Sequence, residues 1–465
     1  MKRYIYNFAK YAGLLMFSAL ILFSCDTWID TDINTDPDAP ADVPMNLLLP
    51  AIEQSVGYNL GGNDYVRTTN IWMQQFDGVT RQSYTEARYQ LLPADVNNIW
   101  NSVYTNIFMN TKILIDKAEN TEGKESPYNA GVGKVLMATA LGVSTDLFGD
   151  MPYSEALMGN ENVLTPKFDS QETLYTTIQG MLDGAIADLG KPSSDNKVAI
   201  GGDVIYGGNV AKWKKAANSI KARHLLQLSG VNGNAAYTAA LAAAANGFAS
   251  NDDDMMVPWE SANHNPIYQF MEQRTDVRMG ATLIDMMIET DDPRLPFYAD
   301  EDGNGEYSGS VIGSQDETAS HPGSYLAGDV APTTIMSYAE LKFIEAEAYL
   351  QTGKSAEAVA AFEEGVKASV EKVTGDAMDQ DWYDTNIGSQ SFNLELIMKQ
   401  KYIATTGTNQ AYADYRRTGL PVIAPHPGGV LPAMPTRYPY PQDEISYNGD
   451  NVPSVNISDK LWWDK

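Results

Sequence analysis

The sequence predicts a mainly α-helical fold in which tetratricopeptide-like helix pairs form a scaffold interrupted by a loop-rich, irregular insertion. Three observations support this prediction: apolar residues recur at helical spacing over long stretches, strand-like alternation is rare and short, and one helix pair resembles a tetratricopeptide unit. The scaffold is expected at 45–247 and 335–420, the insertion at 248–334, and a proline-rich tail at 421–465.

The first 24 residues have the pattern of a signal peptide. Three basic residues precede an apolar run of about a dozen residues at 12–23, which fits the roughly 7–15 of a secretory signal and is shorter than the ~20 of a membrane span. Cys25 follows directly and is the only cysteine, so no intramolecular disulfide can form. Bacterial lipoproteins are cut and acylated at a cysteine in this position, and we therefore expect a lipid on Cys25.

The chain is strongly acidic, with a formal net charge of −28. Residues 25–44 are rich in Asp, Pro and Thr, a composition that favours an extended tether after the lipidated cysteine. Nucleic-acid-binding proteins neutralise phosphates with clustered Lys and Arg. Neither a basic run nor a basic face is visible in this sequence, so nucleic acid is excluded as a ligand.

Helical periodicity dominates from residue 45 onward. Before the insertion the predicted helices are 45–58, 64–76, 95–118, 130–148, 170–189 and 211–228. After it they are 335–351, 356–373, 394–405 and 411–417. Within the insertion Gly, Pro, Asn and Asp cluster, and only 281–289 has a clear helical pattern. Because loops often carry binding residues, we expect the ligand to contact the insertion.

One helix pair carries a repeat signature. Ala346, Tyr349, Ala358 and Phe362 stand at offsets 8, 11, 20 and 24 of a 34-residue tetratricopeptide unit. The small residues let two helices approach, and the large ones fill the gap between them. The turn at 352–354 lies where such a unit reverses direction.

Six sequence blocks carry a family resemblance, and they follow one another along the chain as in that family. They are 34–52, 135–157 (VLMATALGVSTDLFGDMPYSEAL), 203–229, 336–350, 414–421 (DYRRTGLP) and 436–448 (TRYPYPQDEISYN). They resemble the SusD/RagB family of nutrient-binding outer-membrane lipoproteins. The resemblance implies a single SusD-like domain at 45–465, anchored at the cell surface to outer-membrane lipid through Cys25. It also implies a SusC-type TonB-dependent transporter as partner and no catalytic activity or cofactor.

The sequence offers no familiar catalytic motif. The four histidines are isolated, none stands in H-E-x-x-H, and no G-x-S-x-G elbow occurs. A glycoside hydrolase needs only two suitably spaced carboxylates, which a sequence does not exclude, so this stays the enzymatic alternative.

One acidic turn suggests an ion site. Asp300, Asp302, Asn304 and the Glu306 carbonyl match the first half of a calcium loop, and a structural calcium ion is therefore a hypothesis. The twelfth position is Val311 instead of a bidentate Glu, so the site is not an EF-hand.

The favoured ligand is an oligosaccharide, with a peptide bound in the RagB manner as the alternative. Sugar rings stack on aromatic side chains and hydrogen-bond to amides and charged groups. Three loop clusters have this composition, and the competing interpretation of each is ordinary packing. They comprise Phe76, Arg81, Tyr84 and Tyr89; Trp259, Asn263, Asn265 and Tyr268; and Trp382, Tyr383 and Asn386. Trp259 and Trp382 are the preferred stacking platforms.

Overall fold

The computed structural model describes residues 43–464, of which Met45 onward forms one compact unit. The predicted signal peptide, Cys25 and nearly all of the tether lie outside the described residues. Within them, no helix is both long and apolar enough to cross a bilayer.

The first part of the chain is almost entirely helical. Its α-helices are α1 Met45–Ser55, α2 Asn63–Trp72, α3 Arg81–Ala87, α4 Asn97–Ser102, α5 Met109–Asn120, α6 Pro127–Phe148, α7 Gln171–Leu189, α8 Val210–Gln227, α9 Ser229–Asn232 and α10 Asn234–Ala244. One short strand, β1 Phe76–Gly78, lies between α2 and α3. Single π-helical turns, Val56–Leu60 and Val103–Phe108, follow α1 and join α4 to α5.

The predicted insertion contains short elements of both kinds. They are β2 Met255–Val257, α11 Pro266–Gln273, β3 Val277–Met279, α12 Ala281–Ile288, α13 Leu295–Tyr298, α14 Ser324–Ala327 and β4 Thr333–Met336. The expectation that only 281–289 is helical was wrong, because α11 and the short helices α13 and α14 are also present. Helix α11 is the longest of these three. Its start is fixed by Asn265, whose side chain accepts hydrogen bonds from the amides of Ile267 and Tyr268, and by Pro266 at the first helical position.

The last part is helical again, with α15 Tyr338–Gln351, α16 Ser355–Thr374, α17 Gln380–Tyr383, α18 Leu394–Ala404, α19 Gln410–Thr418 and α20 Gln442–Tyr447. The long helices form a continuous array. Helix α6 packs on α5, α7 and α8, α8 on α10, α10 on α15, and α15 on α16 and α18. Because α6 has neighbours on several sides, nearly all of its residues are buried.

The predicted tetratricopeptide-like pair is confirmed as α15 and α16. Ala346 and Ala358 are both fully buried, and the rings of Phe343 and Phe362 meet with centroids 6.0 Å apart. Gly353 reverses the chain between the helices with φ of +78°, a conformation that glycine adopts without strain. The small residues therefore admit close helix packing, as the spacing predicted.

Two antiparallel strand pairs organise the insertion: one joins it to the first part of the scaffold, and the other pairs its beginning with its end. β1 pairs with β3, with Phe76 opposite Met279, and β2 pairs with β4, with Val257 opposite Thr333. Every residue of β1 and β3 is buried. The first part of the scaffold and the insertion are thus joined at β1, which packs on α2 and α3, while α11 packs on α2.

Candidate functional site

A surface groove of about 260 Å³ lies between the N-terminal helices and α11 of the insertion. We call it the polar groove, and it is lined by Arg67, Thr68, Gln82, Glu86, Leu91, Asp95, Asn98, Ile99, Phe270 and Arg274. Most of these side chains can donate or accept hydrogen bonds, while Phe270, Leu91 and Ile99 supply apolar surface. The polar groups can hydrogen-bond to a small polar ligand, and the apolar groups can contact its nonpolar surface.

The groove is built on a buried ion pair. Arg67 donates from Nε and Nη2 to the two carboxylate oxygens of Glu86 at 3.1 and 2.7 Å, and both side chains are nearly inaccessible to solvent. Gln82 also donates to the Glu86 carboxylate at 3.0 Å, and the Trp72 indole nitrogen donates to the Glu86 backbone carbonyl at 3.0 Å. The guanidinium of Arg67 lies 4.5 Å from the ring centroid of Phe270, which holds this ring against the groove.

The remaining charges of the groove lie at its edges. Asp95 accepts the Leu92 amide at 2.8 Å and so caps the 3-10 turn Pro93–Val96. Arg274 lies 4.0 Å from the buried carboxylate of Asp276, which also binds Arg81 at 3.1 Å. The lining thus carries two acidic and two basic groups, and the groove is close to electrically neutral although the protein is strongly acidic.

The backbone beside the groove holds unusual conformations. Gln74, Arg81 and Tyr89 have φ of +57°, +49° and +66°, a region that residues other than glycine rarely occupy. Hydrogen bonds hold two of them in place: Gln74 donates to the Ala424 carbonyl at 2.5 Å, and the Tyr89 hydroxyl accepts the His426 amide at 2.7 Å. Strain of this kind is common where a binding site is pre-organised.

The first predicted aromatic cluster lies next to the groove but does not line it. Phe76 is buried in β1, and Arg81 is exposed and paired with Asp276. Tyr84 is half-buried and points its ring edge at His426, with centroids 6.1 Å apart. Arg81 and Tyr84 belong to α3, the helix that also carries Gln82 and Glu86 of the groove lining.

The second cluster is divided between core and surface. Trp259 is 5% exposed, and its indole nitrogen donates to the Thr333 hydroxyl at 2.8 Å, so its ring is unavailable for stacking in this conformation. Asn263 is exposed in a turn, and Tyr268 is half-buried with its ring 5.4 Å from that of His264. None of these three, nor Asn265 at the start of α11, lines the groove, although Tyr268 and Phe270 belong to the same helix α11.

The third cluster packs on the second half of the scaffold. Trp382 is half-buried against the α15–α16–α18 core, and its indole nitrogen donates to the Thr290 carbonyl at 2.8 Å. Tyr383 is buried in the same core. The structure therefore does not bring the three clusters together into one site.

The predicted calcium loop closes on itself. The Asp302 carboxylate accepts hydrogen bonds from the amide of Asn304 at 2.8 Å, the amide of Glu306 at 3.2 Å and the hydroxyl of Ser308 at 2.8 Å, while the Glu306 carbonyl accepts the Asp302 amide at 2.7 Å. Across the described residues, no three His, Cys, Asp or Glu side chains converge as a metal site requires. Calcium binding by Asp300, Asp302, Asn304 and Glu306 stays a prediction, which a calcium titration of the melting temperature tests.

The described residues combine a scaffold of packed helices with a polar groove at the surface. A family model described as "Starch-binding associating with outer membrane" matches residues 37–441, and the chain belongs to this SusD-like branch of the SusD/RagB family.

Solved structures agree with the family model. A SusD/RagB family protein from Bacteroides thetaiotaomicron has a TM-score of 0.78 at 25% identity, with 91% of this chain and 99% of that chain covered. A chain described as a chitin-binding protein has a TM-score of 0.77 at 25% identity, with 91% and 100% covered. A chitin-binding SusD homolog from Flavobacterium johnsoniae has a TM-score of 0.77 at 24% identity, with 90% and 98% covered. No curated protein sequence matches the chain.

Proposed function

We propose that this protein is a lipid-anchored protein of the outer cell surface that binds an oligosaccharide in the polar groove and delivers it to a SusC-type TonB-dependent transporter. The observation that carries the ligand assignment is the groove itself. It places one aromatic ring beside amide, hydroxyl and paired charged side chains. Lipid attachment at Cys25 and transport rest on the sequence pattern and on the family.

The chemistry of the groove suits an uncharged, hydroxyl-rich ligand. The two basic and two acidic lining groups balance, so the groove does not select strongly for either sign of charge. Gln82 and Asn98 are exposed amides that both donate and accept hydrogen bonds, as sugar hydroxyls require of a partner. The Phe270 ring offers an apolar surface to the C–H face of a sugar. The chitin-binding relatives are consistent with a glycan.

A peptide is the less favoured ligand. Peptides are often bound as an added strand at an exposed sheet edge. The strands beside the groove, β1 and β3, have three residues each, and all six residues are buried. The nearest strands therefore present no long exposed edge to a peptide.

A glycoside hydrolase is also disfavoured by the groove. Its two acidic side chains, Glu86 and Asp95, already serve structural partners: Glu86 binds Arg67 through both oxygens, and Asp95 caps the turn at 93–96. A general acid must instead hold a proton at neutral pH and offer it to the substrate. We therefore propose binding without catalysis.

Parallel binding assays on oligosaccharides and peptides test this proposal with the full-length protein in detergent. Phe270→Ala should weaken oligosaccharide binding about five-fold, since one ring contact contributes about 1 kcal/mol. Asn98→Ala should weaken it similarly, because a hydrogen bond also contributes about 1 kcal/mol.

The matched control is Asn263→Ala, which removes an exposed amide that does not line the groove. Sugar affinity should be unchanged in this variant. Binding of peptides alone would reject the glycan assignment. Sugar binding that survives both groove substitutions would place the ligand elsewhere.

A further inference from the structure

A second cavity, of about 320 Å³, opens beside the polar groove. We call it the proline pocket, and its lining includes Pro93, Pro439, Tyr440, Ile445, Val452 and Pro453. No charged side chain lines it. Ile445 is 43% exposed there, and nearby on the chain Tyr447 is 81% and Leu92 53% exposed. Such a concentration of exposed apolar side chains on an acidic protein commonly marks a contact site.

The two cavities share one wall. Pro93 lines the proline pocket and Asp95 lines the polar groove, and both belong to the 3-10 turn Pro93–Val96. Residues of a 3-10 helix advance by about 2 Å each, so the two cavities lie side by side. A ligand longer than one sugar unit in the groove can therefore reach the proline pocket by crossing this turn.

The shared wall is fixed by helix α20. The Asp443 carboxylate accepts hydrogen bonds from the side-chain amides of Asn97 and Asn101 at 3.2 and 3.1 Å, and the Asp443 amide donates to Asn97 at 3.1 Å. Trp100 donates to Glu444 at 3.2 Å. Helix α20 thus holds the start of α4 and, through Ile445, lines the proline pocket.

The lining determines which part of a glycan fits. Sugar hydroxyls need hydrogen-bond partners, and the side chains of the lining offer few: the Tyr440 hydroxyl already donates to the Asp150 carbonyl at 2.9 Å, and Ser454 is the other side chain of the lining that carries a hydroxyl. Burying hydroxyls without partners is unfavourable, whereas burying a methyl group is favourable. The pocket therefore suits an acyl methyl group better than a bare sugar ring.

We propose that the proline pocket is a second subsite of the polar groove, which takes the acyl group of an N-acetylated sugar unit in an oligosaccharide bound across the Pro93–Val96 turn. This inference rests on the proposed glycan-binding function.

The test compares two probes, N,N′,N″,N‴-tetraacetylchitotetraose and cellotetraose, which share their linkage and differ in the acetamido groups. Calorimetry on the full-length protein in detergent should show about four-fold tighter binding of the acetylated probe. Burying one methyl group contributes about 0.8 kcal/mol, which corresponds to this change in Kd. Ile445→Ser and Val452→Ser, on separate segments of the pocket, should each reduce this preference to less than two-fold. Val359→Ser is the control, since Val359 is 41% exposed and lines neither cavity.

The outcomes separate this inference from the proposed function. Sugar binding without an acetyl preference, or with a preference that survives both pocket substitutions, overturns the inference alone. If no oligosaccharide binds in the parallel assays described above, both the proposed function and this inference are wrong. If both substitutions leave sugar binding intact but release a co-purifying transporter, the pocket is a protein contact and the inference is overturned.

Discussion

The packing of α6 on α8 gives a sharp test of the helical scaffold. Gly142 of α6 lies against the buried ring of His224 on α8, and a methyl group at Gly142 would come within 3.0 Å of two ring atoms. Burial lowers the pKa of His224 to about 3, so the ring is neutral at pH 7 and its removal changes no charge. The Tyr175 and His224 rings pack edge to face with their centroids 5.9 Å apart, which limits the movement of the His224 ring.

Gly142→Ala should therefore destabilise the protein. Overpacking in a core costs about 1–3 kcal/mol, whereas Gly→Ala in a helix otherwise contributes up to about 1 kcal/mol of stability. The net expected loss is about 1–2 kcal/mol. Gly180 of α7 is the matched control, because it is exposed and a methyl group there would meet no atom within 4 Å. Gly180→Ala should leave stability unchanged or raised.

Urea unfolding of the full-length protein at pH 7 measures both effects, and a double-mutant cycle assigns the cause. In the His224→Ala background the methyl group at Gly142 no longer meets the ring, so Gly142→Ala should cost little or stabilise. A coupling free energy of about 1–3 kcal/mol is expected. If Gly142→Ala and Gly180→Ala have equal effects, or if the cycle shows no coupling, the α6–α8 packing described above is incorrect.

Three further predictions concern single side chains. Trp259→Phe removes a buried donor to Thr333 and should cost about 1–2 kcal/mol of unfolding free energy while sugar affinity, measured by calorimetry, stays within two-fold. Burial raises the pKa of Asp77 to about 6, although the hydrogen bond from Ser310 acts to lower it. The folded state therefore favours the protonated carboxyl, which stabilises the fold below about pH 4, and this stability is lost as pH rises through 6. Asp77→Asn should thus stabilise at pH 8, by at most on the order of 3 kcal/mol, and the gain should vanish near pH 4 in urea unfolding. Cys25→Ala should appear in the soluble fraction after salt washing of membranes, and persistent sedimentation would refute lipid attachment there.

The scaffold could be predicted because long amphipathic helices repeat their pattern over several turns. Residues 170–189 were predicted as a helix, and the structure has Gln171–Leu189 with Ser170 accepting the Thr173 amide as N-cap. The turn at 352–354 was also predictable, since its small and polar residues separate two clear periodic segments.

The insertion was harder because its elements are short. A three-residue strand such as β1 has no measurable period, and its partner β3 lies two hundred residues away. The start of α11 did have a readable signal: Asn265 followed by Pro266 is a typical cap and first helical residue. That signal would have revealed the helix that carries Phe270 and Arg274 to the groove.

The predicted ligand residues do not line the polar groove, for a different reason. Composition identifies a tryptophan in a loop, but it does not distinguish a ring offered to solvent from one that closes a small core. Trp259 and Trp382 both direct their indole nitrogens to internal acceptors. The polar groove is instead lined by Gln82 and Asn98, whose amides give no signal in the sequence because exposed amides are common on helices.

Arginine side chains connect the segments around the polar groove, whose lining is close to electrically neutral although the protein is acidic. Arg67 joins α2 to α3 through Glu86, Arg81 joins α3 to Asp276 beyond α11, and Arg88 donates to the Gly428 carbonyl in the tail at 2.7 Å. Arg278 of β3 donates to the Glu317 carbonyl at 2.9 Å. The planar guanidinium binds carboxylates and carbonyls in fixed directions, so each arginine fixes the distance between remote segments, and Arg67 and Arg81 also neutralise the carboxylates that they bind. The shape of the groove is therefore set by tertiary pairing between segments far apart in the chain, which sequence periodicity does not report.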